Sequence, residues 1–154
     1  MTSADRCADA EADPRALRRS DFPVLVPVPT RWADVDAYGH VNNVVHYAMF
    51  DTAVNGWLMA ASGTDVRTLP ASGLVVETSC RYYEELHFPG TVIAGLRVEA
   101  RGTSSVAYRL ALFPEQGESP AAVGRFVHVY VDRATRRPVP PPEPVARALD
   151  AIGG

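Results

Sequence analysis

The hydrophobic pattern of the chain changes period once. Between Val44 and Leu58 the residues Tyr47, Phe50, Val54 and Leu58 recur at i, i+3/i+4 spacing, one stripe of a helix. Ala48, Met49, Ala53 and Trp57 make most of its opposite side apolar too. A helix apolar nearly all round is buried on more than one side. Asn42 and Asn43 precede it, either suited to cap it, and Ala61-Ser62-Gly63 supplies a stop.

Beyond the helix the period is two. Leu74 to Tyr83 alternates with Val76, Thr78, Cys80 and Tyr82 on one face and Glu77, Ser79 and Arg81 on the other. Thr91 to Arg101 sets Val92, Ala94, Leu96, Val98 and Ala100 against Arg97, Glu99 and Arg101. Ser105 to Phe113 alternates Val106, Tyr108, Leu110 and Leu112 with Arg109. Ala121 to Val131 alternates Val123, Val127, Val129 and Val131 with Phe126, His128 and Tyr130. Phe88-Pro89-Gly90, Arg101-Gly102-Thr103 and Pro114 to Pro120 are turn chemistry between them. Ahead of the helix, Val24 to Trp32 reads as a strand. Pro23, Pro27 and Pro29 confine it to a sheet edge or shorten it to the residues after Pro29.

One long helix followed by strands on short turns is an α+β pattern with an antiparallel sheet. A sheet curled around the apolar helix buries both. Arg133 to Pro144 is a proline-rich exit segment, and Glu143 to Ile152 adds a short terminal helix. Met1 to Asp21 has little periodicity and reads as a flexible tail, leaving one domain over residues 22–154.

Composition narrows the chemistry. The 154 residues are 47% hydrophobic, enough for one domain with a real core. A formal charge of -3 gives no general attraction for nucleic acid or an anionic membrane. Every basic residue is arginine, which removes Schiff-base and P-loop lysine chemistry and leaves phosphate contacts to Arg, backbone N–H and hydroxyls. Cys7 and Cys80 read as two reduced thiols rather than a disulfide, as in the cytoplasm. The N-terminus has no apolar signal-peptide core, and no run is long and apolar enough to span a bilayer.

The polar turn before the helix carries the candidate chemistry: Arg31-Trp32-Ala33-Asp34-Val35-Asp36-Ala37-Tyr38-Gly39-His40-Val41-Asn42-Asn43. It feeds carboxylates toward a helix N-terminus, whose free N–H groups and partial positive charge suit a developing oxyanion. On spacing alone Asp36 is a turn or capping aspartate ahead of a catalytic one. Asp36 and His40 stand at i, i+4, but in a turn with no Ser or Cys nucleophile, so His40 reads as an orienting residue. Asp34 with Arg31 reads as structural, and Gly39 as a position needing glycine's backbone freedom. His46 and His128 fall on helix and strand patterns, where packing or pocket lining outranks catalysis. The histidines show no zinc-ligand spacing. Glu77 reads as a solvated or interface carboxylate.

This turn resembles that of the hotdog-fold acyl-CoA thioesterases of the 4-hydroxybenzoyl-CoA thioesterase-like family. Arg31, Asp34, Asp36, Gly39, His40, Val41, Asn42 and Asn43 match it, followed by the helix with Phe50. Cys80-Arg81-Tyr82-Tyr83 and Phe126-Val127-His128-Val129-Tyr130-Val131-Asp132 match two of its strands, so the resemblance runs from Val24 to Pro140. His46 stands where many relatives have Tyr, and Glu85 where many have Pro. The first departure bears on the pocket wall, the second on a turn.

The resemblance implies a hotdog fold, an antiparallel sheet wrapped around one long central helix, and hydrolysis of an acyl-CoA thioester. Asp36 would then be base or nucleophile, the N–H near Asn43 would polarise the carbonyl, and His40 would assist. Gly39, Val41, Asn42, His46 and Tyr47 would surround the substrate. Arg81, Ser104 and Ser105, with Arg101 and Arg125, would meet coenzyme A. It implies no metal or cofactor beyond the coenzyme A of the substrate, and a homodimer or homotetramer. Thioester hydrolysis needs little more than one carboxylate and one oxyanion site. Two alternatives stand beside it: a hotdog hydratase or dehydratase for β-hydroxyacyl or enoyl thioesters, which needs a catalytic histidine, and a non-catalytic acyl-CoA binding module.

Overall fold

The computed structural model describes residues 13–153. Five strands form one antiparallel sheet: β1 (Val24–Pro29), β2 (Ala71–Tyr82), β3 (Thr91–Arg101), β4 (Ser105–Pro114) and β5 (Ala122–Asp132), in the order β1-β3-β4-β5-β2. The long helix α1 (Asn43–Ser62) lies against one face, and α2 (Glu143–Ala151) packs beside it. This is the α+β, helix-in-sheet arrangement that the periodicity and the resemblance lead one to expect.

The prolines explain the order. Pro27 and Pro29 cannot donate to a second neighbour, and β1 is indeed an edge strand, paired only with β3. Phe50, Ala53, Val54 and Leu58 of α1 meet Leu96, Tyr108, Leu110, Leu112 and Phe126 of the sheet in one buried cluster. At the closest approach there is room only for glycine: a Cβ on Gly124 would stand 2.4 Å from the Phe50 ring.

Asn42, not Asn43, caps α1: its Oδ1 accepts the Val44 N–H at 3.0 Å. The helix ends at Gly63. A bulge between Val75 and Glu77 shifts the phase of β2. Val76, which strict alternation puts on one face with Thr78, Cys80 and Tyr82, falls at the bulge and is 60% exposed.

The expected flexible tail reaches residue 21, yet residues 13–21 lie against the outer face of the sheet. Leu17 and Phe22 pack on Phe113 and Val123. The Arg19 guanidinium donates to the carbonyls of Pro114, Glu115 and Gly117 at 2.6, 2.7 and 2.8 Å. A single cation serving three carbonyls fixes this segment, a relation no periodicity records. The rest of the expected tail, with Cys7, lies outside the described residues. No helix among the described residues is long and apolar enough to cross a membrane.

Candidate active site

The turn from Arg31 to Asn43 is built from its own hydrogen bonds. The Asp34 carboxylate accepts from the Arg31 backbone N–H at 2.7 Å and from its guanidinium at 2.7 and 3.1 Å. The Arg31 side chain holds the buried Asp34 carboxyl below its usual range. The Asp34 carbonyl in turn accepts the Asn42 N–H at 2.8 Å. Asp34 is therefore the structural carboxylate of the pair, the anchor that seats the helix start.

Asp36 begins a tight reversal. Its N–H donates to the His40 carbonyl at 3.1 Å, its carbonyl accepts from Gly39, and Val35 and Val41 form an isolated bridge. Gly39 sits at φ +83°, where a Cβ is strained, as the sequence leads one to expect. One Asp36 carboxylate oxygen accepts the Tyr38 N–H at 2.9 Å.

The reversal faces a cleft of about 510 Å³, lined by Asp36, His40, Val41, Asn43 and His46 on one side and by Tyr82 to Leu86 on the other. At the floor is the start of α1. The Val44 N–H is taken by the Asn42 cap and the Val45 N–H by the Asn42 carbonyl. The Asn43 N–H has no hydrogen-bond partner among the described residues. A helix's first amide, unpaired and at the positive end of the dipole, is a donor waiting for an anionic oxygen.

Around it the ionisable groups are fixed in distinct ways. His40 Nε2 lies 2.9 Å from a Glu85 carboxylate oxygen. Glu85, expected to change only a turn, thus supplies the partner of His40. His46 Nδ1 is 3.2 Å from the Asn42 carbonyl. A carbonyl only accepts, so Nδ1 carries the proton and Nε2 of the neutral ring is an acceptor. Burial pushes the His46 pKa down, against the pull of that carbonyl. Burial also pushes the Cys80 thiol up to about 11, removing it as a nucleophile.

The remaining sequence candidates are placed differently. Gly39, Asn42 and Tyr47 are not among the residues that line the cleft: Gly39 forms the turn, Asn42 caps α1, and Tyr47 packs edge-on to Phe50 at 6.2 Å. Arg81 lies in a shallow pocket with Arg109 and Arg125, outside the Asp36 cleft. Ser104 sits in the β3–β4 turn, where its carbonyl accepts the Tyr130 N–H, and Ser105 begins β4 opposite Val129, both at the end of β2 opposite Tyr82. Arg101 pairs with Asp150 and Arg125 with Glu77 and Glu99. Tyr38, Tyr82, Tyr83, Glu84, Glu85 and Leu86 join the cleft without having been among the sequence candidates. The match at Cys80 to Tyr83 and the departure at Glu85 were the signals pointing there.

Residues 30–149 match the model of the thioesterase-like superfamily. The chain belongs to that family. Its members hydrolyse thioesters, and this chain is an enzyme of that kind. Among solved structures it is similar to the PA5185 protein of Pseudomonas aeruginosa, at 47% identity over 88% of this chain and 95% of that one, with a TM-score of 0.84. The PA2801 protein of the same organism is 28% identical over 81% and 96% of the two chains, with a TM-score of 0.73. A 1,4-dihydroxy-2-naphthoyl-CoA thioesterase from Synechocystis is 15% identical over 86% and 98%, and its TM-score of 0.77 shows the shared hotdog fold. No curated protein matches the chain.

Proposed function

We propose that this thioesterase hydrolyses an acyl-CoA to the free acid and coenzyme A, with Asp36 as base or nucleophile. The observation that carries the reading is the unpaired Asn43 N–H at the capped start of α1, in the same cleft as the Asp36 carboxylate. The thioester carbonyl oxygen accepts from that amide, which stabilises the negative charge as the carbonyl becomes tetrahedral. Asp36 either deprotonates the attacking water or attacks to give an acyl anhydride that water opens. The thiolate leaves without needing a strong acid. His40, held by Glu85, orients the wall of the cleft.

The active unit is a homodimer, in the cytoplasm. β2 is an edge strand of 12 residues whose outer side is unpaired, with Val75 and Val76 exposed at its middle. Antiparallel pairing of two copies along β2 would carry the Ala71 end of one strand toward the Tyr82 end of the other. The Ser104–Ser105 turn would then approach the partner's cleft, where coenzyme A needs contacts. Light scattering tests the assembly: a fully active monomer at assay concentration overturns it.

A panel of acyl-CoA substrates, followed by thiol release, tests the activity. Saturated acyl-CoA should release free coenzyme A, and crotonyl-CoA should give crotonate rather than a hydrated thioester. Hydration of crotonyl-CoA with no thiol release would favour the hydratase, and binding without turnover the non-catalytic module.

A further inference from the structure

The Asn43 N–H is not alone on the Asp36 cleft in having no partner among the described residues. Only Oδ1 of Asp36 takes the Tyr38 N–H, which leaves Oδ2 free. His46 Nε2 is free as well, since the one hydrogen bond of that ring runs from Nδ1 to the Asn42 carbonyl. His46 is 3% exposed, yet Nε2 is not sealed. The buried side-chain atoms left without a partner are the Tyr108 hydroxyl and His128 Nδ1. The little of the His46 ring that stays open therefore includes Nε2, and it opens on the cleft.

Local geometry puts this ring beside the free amide. His46 follows Asn43 by three residues, so the two share a face of α1, and helical side chains lean toward the N-terminus. The Asn42 carbonyl oxygen and the Asn43 nitrogen belong to one peptide unit, about 2.3 Å apart. His46 Nδ1, 3.2 Å from that oxygen, is thus within about 5.5 Å of the amide nitrogen. Tyr82 packs on the ring edge-on at 4.9 Å and keeps it from swinging away. With Nδ1 donating, Nε2 of the neutral ring can only accept. Burial holds the His46 pKa below its ordinary value, so at neutral pH the ring is uncharged. The lining of the cleft includes no Ser, Thr or Cys to attack a thioester. Two free acceptors and one free donor match a water molecule and a carbonyl oxygen.

We propose that His46 Nε2 and Asp36 hold the attacking water between them, one O–H to each, so that Asp36 acts as base and not as nucleophile. This rests on the reading of the chain as a thioesterase and decides a step within it. A lone pair of the water oxygen forms the bond to the thioester carbon as Asp36 takes one proton. The carbonyl π pair moves onto the oxygen that faces the Asn43 N–H. The other O–H stays on its oxygen and becomes the hydroxyl of the acid, so His46 gains no proton. The pair then returns, the C–S bond breaks toward sulfur, and Asp36 passes its proton to the departing thiolate. The free acid ionises in water.

The test is thiol release by the full chain from an acyl-CoA that the substrate panel shows to be turned over. His46→Phe should lower kcat about ten- to a hundredfold with KM within about threefold. His46→Gln keeps an acceptor at the far end and should recover to within about fivefold of wild type. Wild-type kcat should fall as pH drops through the titration of His46, followed on its ring by NMR, and this fall should be absent from His46→Gln. The other titrating groups of the cleft, Asp36, His40, Glu84, Glu85 and the tyrosines, are common to both proteins. A merely structural ring gives no such fall, because protonation at Nε2 leaves the Nδ1–H bond to Asn42 in place. If His46→Phe does not fold, His46→Gln and the wild-type pH profile carry the test. A single turnover in heavy-oxygen water should place the label in the free acid and none in Asp36. Label in Asp36, unchanged kcat in a folded His46→Phe, no recovery in His46→Gln, or a proton on Nε2 instead of Nδ1 in nitrogen NMR overturns the proposal. With Asp36→Asn inactive, those results leave the thioesterase standing. No thiol release from any acyl-CoA sinks both.

Discussion

The Tyr82 hydroxyl donates to the Asn43 carbonyl at 2.9 Å. The last residue of β2 is thereby tied to the first residue of α1, across 39 positions of sequence. The Tyr82 ring meets His46 edge-on at 4.9 Å, so the strand also braces the first helical turn by packing. Burial pushes the phenol pKa up, and it remains a donor at any pH the enzyme meets. Asn42 caps the same turn from the other side. The free Asn43 amide is therefore held between two fixed neighbours.

Tyr82→Phe removes that hydrogen bond and keeps the ring. A hydrogen bond of this kind contributes about 1 kcal/mol, so the melting temperature should fall by about 2–4 °C. Thiol release should drop up to about tenfold, in kcat rather than KM, because the donor to the developing oxyanion loses its brace. A variant with wild-type melting temperature and kcat would show that the bond positions nothing.

The ease with which this fold could be read varies along the chain, and for physical reasons. β1 was legible because proline cannot donate, which leaves Pro27 and Pro29 only an edge. The start of α1 was legible because a cap, a glycine turn and an apolar run coincide within Asp36 to Val54. The bulge at Val75 was not, since one extra residue leaves alternation intact on either side and only shifts its phase. Nor did the sequence say which face of β5 meets the helix: Phe126, His128 and Tyr130 alternate with valines, and both sets are apolar. Half of the cleft comes from Tyr82 to Leu86, brought in by pairing distant in sequence, so motif spacing around Asp36 carried no trace of it. The Arg81 and Ser104–Ser105 candidates came from resemblance alone, and a single chain does not bring them to Asp36.

Asp34 should govern stability in acid. Its folded pKa lies below the unfolded value of about 3.8, because Arg31 favours the carboxylate. As pH falls the unfolded chain takes up the proton first. The stabilisation is thus complete above the unfolded pKa and lost as pH drops through the folded one. Asp34→Asn should lower the melting temperature by roughly 3–8 °C at pH 7. Below about pH 4 the gap from wild type should close. A gap that is constant down to pH 2 would mean that the charge on Asp34 is not what matters.

Arg19 gives the N-terminal segment its hold. Arg19→Ala leaves three carbonyls of the β4–β5 turn without their donor and should lower the melting temperature by roughly 4–10 °C. None of the groups that Arg19 touches lines the Asp36 cleft, so kcat of the folded variant should stay within about twofold of wild type. Removal of residues 1–21 should cost at least as much stability, through Leu17 as well. An unchanged melting temperature after that truncation would show the segment to be dispensable.

The sharpest test separates the two carboxylates of the turn. Asp36→Asn keeps shape and the hydrogen bond from the Tyr38 N–H, and removes the charge. If Asp36 is base or nucleophile, turnover should fall by about two to four orders of magnitude, the range of a lost acid–base group. Binding of acyl-CoA should survive, because the Asn43 amide and the cleft walls are untouched. It should even tighten, since a carboxylate beside a thioester carbonyl oxygen is repulsive in the ground state. Stability should scarcely change, as Asp36 pairs with no cation among the described residues, unlike Asp34 with Arg31. Asp34→Asn should show the opposite profile: an altered melt, with turnover of the folded fraction within a few-fold of wild type. Steady-state thiol release and thermal melts on both variants read the two axes independently. Near-normal turnover by Asp36→Asn, with activity abolished in a folded His40→Ala or Glu85→Gln, would move the chemistry to the His40–Glu85 pair. The hydratase reading would then gain what the thioesterase mechanism at Asp36 had lost.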